Sequence, residues 1–110
     1  MQPIKIYEDM YELNFFVSYG VSYNEFRKQV KRLTNNDIGK DDDIAMMIDF
    51  IKGGKKLYWI WTSKKNISML MHEITHAIIK SLGDIGFTCN GSSDEAYAYM
   101  AEYICRKVVG

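Results

Sequence analysis

The apolar residues of this 110-residue chain change their period part-way along it. Up to Trp61 they mostly alternate with polar residues, as half-buried strands require, and from Ile67 onward they recur every third or fourth position, as one face of a helix requires. No single element satisfies both periods, so the pattern predicts sheet in the first half and helix in the second. Ile4 and Ile6 alternate with Lys5 and Tyr7, and the alternation resumes at Leu13, Phe15 and Val17 and ends at Gly20, predicting two strands joined by a turn. Ser22-Tyr23-Asn24-Glu25 has the form of a capping box, and Phe26, Val30 and Leu33 follow at helical spacing as far as Thr34. Ile44–Ile51 and Leu57–Thr62 flank Gly53-Gly54, a hairpin signal because both positions can take positive φ. The first of these segments also fits a helix over Asp43–Lys52 ended by Gly53, whereas Tyr58-Trp59-Ile60-Trp61 reads as strand in either case.

In the second half, Asn66 caps a helix in which Ile67, Leu70, Met71, Ile74, Ile78 and Leu82 form one stripe, closed by Gly83. Ser92 or Ser93 opens a last helix with Ala96, Met100, Tyr103, Ile104 and Val108 inward. The expected order is β-β-α-β-β-α-α, an α+β fold with a small antiparallel or mixed sheet, in one domain over residues 1–110. Trp59 and Trp61 point to one side of their strand and read as core or cleft floor. Asp41, Asp42 and Asp43 lack the spacing of a calcium loop and read as a solvated turn. The basic residues Arg27, Lys28, Lys31 and Arg32 read as the solvated face of their helix.

Charge narrows the function classes. Fourteen Lys plus Arg balance fourteen Asp plus Glu, whereas a domain that holds nucleic acid by bulk electrostatics is usually basic overall. No run approaches the ~20 apolar residues of a membrane span, and the acidic N-terminal residues are unlike an export signal, so a cytoplasmic protein is expected. In that compartment Cys89 and Cys105, which lack C-x-x-C spacing, read as free thiols packed as small hydrophobes.

There are only two histidines. Both fall in His72-Glu73-Ile74-Thr75-His76, inside the first long helix, and this is H-E-x-x-H. Side chains at i and i+4 share a helix face, so two imidazoles can bind one zinc ion at about 2.0–2.1 Å each. In this motif the intervening glutamate handles the proton of a water rather than binding the metal. A catalytic zinc needs a third protein ligand. Glu95 is the candidate, beyond a Gly-containing turn that lets the chain reverse; Asp94 and Glu102 are its rivals, and Glu95 also fits a capping role in Ser92-Ser93-Asp94-Glu95.

H-E-I-T-H at 72–76 with a following helix beginning D-E-A-Y-A-Y at 94–99 resembles the gluzincin branch of the zincin metallopeptidases, and more closely the very small zincin-like proteins of bacteriophages and prophages. The resemblance covers residues 57–104. It implies an antiparallel sheet packed on the active-site helix, zinc held by His72, His76 and Glu95, and Glu73 as general base and acid. It also implies that Leu57–Thr62 forms the upper rim of the cleft and binds an extended peptide by strand addition. Two neutral imidazoles and one carboxylate leave such a zinc site at about +1, which draws the pKa of a water there towards roughly 7. Tyr97, Tyr99 and Arg106 are the donors near in sequence for a developing oxyanion, and none of them is singled out. The chain lacks the N-E-x-x-S-D pattern, the third histidine and the second lobe of the large members. The alternative expectation is therefore a weak or inactive zincin-fold interaction module of phage origin, working in the host cytoplasm.

Overall fold

The computed structural model describes residues 1–88 and 93–110. Its elements are β1 (Ile4–Glu8), β2 (Leu13–Tyr19), α1 (Tyr23–Thr34), β3 (Ala45–Lys52), β4 (Lys55–Thr62), α2 (Ile67–Asp84) and α3 (Asp94–Val109), an α+β order that follows the change of period. Ser22 Oγ accepts from the Glu25 amide at 3.1 Å and Asn66 Oδ1 from the Met69 amide at 3.0 Å, so both predicted N-caps form. Gly53 and Gly54 take φ of 59° and 79° in the β3–β4 turn, and residues 45–52 pair with 55–62 as a hairpin rather than coiling. The helical alternative loses because Trp59 and Tyr58 have Ile48 and Asp49 as ladder partners.

Two details differ from the sequence reading. Helix α2 runs through Gly83 to Asp84, and the positive φ after it, 103°, belongs to Gly86. Ser93 occupies the N-cap position of α3 without a side-chain capping bond, and its hydroxyl donates instead to the Thr88 carbonyl. Cys89 and Ser92 lie outside the described residues. Cys105 is a free, half-buried thiol packed against the core.

The sheet order is β1-β2-β4-β3, antiparallel except for a parallel β2–β4 pair at its centre. Parallel neighbours need a crossover, which α1, the Asn35–Asp43 loop and β3 together supply. Strand β4 is buried on both faces. Tyr58 and Ile60 join Phe15, Leu70, Ile74 and Met100 in a core under α2 and α3. Trp59 and Trp61 point the other way, into a core with Phe26 and Val30 of α1. The tryptophans are thus core residues on the face opposite α2, and Phe26 stacks on Trp61 with 5.1 Å between centroids. No helix among the described residues is long and apolar enough to cross a membrane.

Polar groups inside these layers are mostly paired. Glu8, fully buried, accepts from the Met10 and Tyr11 amides at 2.9 and 2.7 Å and from the Tyr99 hydroxyl at 2.7 Å, tying the β1–β2 turn to α3. That bond pushes the Tyr99 phenol up to about 12. Under α1, Trp59 Nε1 donates to Ser18 Oγ at 2.9 Å and Ser18 Oγ donates to Gln29 Oε1 at 2.5 Å. Gln29 Nε2 is buried without a partner among the described residues. Removing a hydroxyl that serves two buried groups costs about 1–3 kcal/mol, whereas replacing Gln29 by methionine removes the unpartnered amide nitrogen as well as the Ser18 acceptor, two effects that partly offset. Ser18→Ala should therefore lower the urea unfolding free energy by that amount, and Gln29→Met should lower it by less than half as much.

Candidate metal centre

The amphipathic pattern of α2 decides where the motif faces. Leu70, Ile74, Ala77, Ile78 and Leu82 are buried against the sheet and α3. His72 and His76 fall on the exposed flank of this stripe. Their rings stand edge to face with centroids 4.8 Å apart, and the two Nε2 atoms approach to 3.2 Å. Two ligands bound at ~2.05 Å and subtending a tetrahedral angle stand about 3.3 Å apart. The Nε2 separation therefore matches that of two adjacent ligands around one small divalent cation.

Glu73, only 7% exposed, lies under the beginning of β3. Its Oε2 is 3.9 Å from His72 Nε2. Burial pushes its carboxyl above the usual range, the two histidines pull it back, and Asp43 adds to the rise. Two openings of about 420 and 540 Å³ meet at Glu73 and Ala45: the first reaches Asp43, Met69 and His72, the second Met47, His76 and Lys80. Together they form an open cleft between α2 and β3 with Glu73 at its floor.

The strand bordering this cleft is β3, and this corrects the expectation that Leu57–Thr62 forms the rim. Strand β4 has neighbours on both sides, β2 and β3, so its backbone has no free edge to offer. The resemblance implied β4, the strand just upstream of α2; the parallel β2–β4 pairing, a contact between distant segments, puts it in the middle. Ala45, Met47 and Asp43 are the cleft residues that sequence reading missed. A helical and a strand period both fit residues 43–52, so the sequence pattern alone does not decide which side of this segment faces α2.

Glu95 lies in the first turn of α3 and is exposed, as is Asp94. Glu102 is exposed and pairs with Arg106. Among the described residues no third His, Cys, Asp or Glu stands with His72 and His76 in a group able to hold a metal. Of the three oxyanion donors considered, Tyr99 is engaged with Glu8 and Arg106 with Glu102. Comparison with protein-family models, curated proteins and solved structures returned no match.

The raised Glu73 has a consequence for stability. An acid whose folded pKa exceeds its unfolded value binds more protons when folded, so stability falls as pH rises through that interval. Metal-free Glu73→Gln should melt at a higher temperature than the wild type at pH 7, and the difference should shrink as pH falls through the raised value of Glu73 and be gone below the ordinary glutamate range. Calorimetric scans across pH 4–8 check both signs.

Proposed function

We propose that the chain is a zinc-dependent metallopeptidase of the gluzincin type on a minimal zincin-like fold. The observation that carries this reading is the 3.2 Å approach of His72 and His76 Nε2 directly beside a buried glutamate in a cleft. His72 and His76 would hold the ion, with Glu95 as the third ligand that the resemblance suggests. Bound there, zinc supplies Lewis acidity, making a water more acidic and a peptide carbonyl more electrophilic.

The chain's own part lies with Glu73 and β3. The Glu73 carboxylate accepts a proton from the attacking water and delivers it to the nitrogen of the departing amine, so one group serves as base and then acid. Its desolvation raises its proton affinity, which suits the first half of that task. The outer edge of β3 offers backbone donors and acceptors to an extended peptide or protein substrate, aligning it along the cleft.

Elemental mass spectrometry of the purified chain should find about one zinc per molecule, lost in His76→Ala and reduced in Glu95→Gln. Glu73→Gln should keep the zinc and lower cleavage of a peptide library by about 10²–10⁴-fold. Wild-type protein that takes up no zinc when it is supplied sinks the proposal. The absence of a third ligand near the histidines among the described residues favours a second reading, an interaction module that keeps the motif without turning over peptides. Zinc uptake with no cleavage of the library by the wild type would decide for it.

A further inference from the structure

The two edges of the sheet differ. On β1 the Tyr7 carbonyl accepts from the Tyr103 hydroxyl at 3.0 Å, so α3 reaches over that strand. On the other side β3 pairs, among the described residues, with β4 alone, through eight consecutive partners. Exposed edges are usually blunted by proline, a bulge or unpaired charge. Strand β3 has no proline, and its one interior charge, Asp49, is taken by Lys56 at 2.8 Å. Beyond the strand's two ends the charge is segregated. Asp41, Asp42 and Asp43 lead into it, Lys52 and Lys55 lead out of it, and all five are exposed.

We propose that this edge is taken by a second copy of the chain, the two β3 strands running antiparallel about a two-fold axis normal to the sheet. A strand acidic at its start and basic at its end is complementary to itself in that orientation and repels itself in the parallel one. Such an axis keeps every residue on its own face, so the permitted registers step by two. Centring on Asp49 opposes two carboxylates, and centring on Met47 sets Asp43 against Ile51. Centring on Ile48 pairs residues 45–51 throughout, with Met46 facing Phe50, Ala45 facing Ile51 and Met47 facing Asp49, whose carboxylate Lys56 already holds. The acidic loop of each copy then lies beside Lys52 and Lys55 of the other.

This register explains an apolar side chain that the isolated fold leaves uncovered. Ile51 is 71% exposed, and it comes to rest against Ala45, which lines both openings of the cleft. The paired form is one continuous eight-stranded sheet, and each copy covers the other's cleft rim. A peptide entering the cleft as proposed above competes with the second copy for the same edge.

Sedimentation velocity on the full chain without added zinc tests this independently of any peptidase activity. The wild type should move from monomer towards a species of twice 12.8 kDa as concentration rises through roughly 1–500 µM, a range that captures weak and moderate association. Lys52→Glu with Lys55→Glu, and separately Asp41→Lys with Asp42→Lys, should each raise the dissociation constant at least about tenfold. Mixing the two double variants should restore association as a heterodimer to within about threefold of the wild type. Circular dichroism confirms that these exposed substitutions leave the fold intact. A wild type that stays monomeric throughout, reversals without effect, or a mixture that fails to associate overturns the proposal.

Discussion

Strand β4 is the member on which the other layers depend. It pairs in parallel with β2 on one side and antiparallel with β3 on the other. Its side chains from Leu57 to Thr62 are all buried, alternately beneath α2 and beneath α1. A strand in that position must be apolar on both faces, which is why Leu57-Tyr58-Trp59-Ile60-Trp61 reads as a continuous run rather than an alternating one. The polar atoms carried in with it need partners. Tyr58 donates to Asp84 at 2.7 Å, Trp59 to Ser18, and Trp61 Nε1 to the Val21 carbonyl at 2.8 Å. These bonds tie β4 to α2, to β2 and to the junction that leads into α1, so the strand helps fix the relative placement of both helical layers.

The placement of the metal motif follows from this. Helix α2 packs across β4 and β3, and its buried stripe is wide enough to include Glu73 but leaves His72 and His76 outside it. The three polar side chains of the motif therefore differ sharply in environment although they span barely more than one helical turn. Two imidazoles keep water and each other's company, while the carboxylate between them is desolvated under β3. In the proposed function, that contrast separates the group that would move a proton from the groups that would hold a cation.

Local chemistry was legible in the sequence, and long-range pairing was not. The caps Ser22 and Asn66, the Gly53-Gly54 turn and the helical stripes of α2 and α3 each depend on a few neighbouring residues, and the corresponding elements appear where those residues predict them. The H-E-x-x-H spacing likewise put His72 and His76 one turn apart on one face, because the α-helix alone dictates that adjacency. The order β1-β2-β4-β3 depends on which strand completes the pairing of β2 after a crossover, and no short window encodes that. The mistaken rim at Leu57–Thr62 came from this gap. The third ligand is a further case, since whether Glu95 reaches the histidines depends on how a turn carries α3 past α2, not on the residue types involved.

The buried contact between Glu8 and Tyr99 joins residues 91 positions apart. The entropy lost in closing so long a segment is recovered only after the intervening layers have formed. The sheet and α2 can assemble from nearer contacts, leaving α3 as the element that seals Met100 and Ile104 into an existing surface. The order of assembly also sets the order of fraying: α3 and the β1–β2 turn should open together, as one cooperative piece, while the centre of the sheet stays closed.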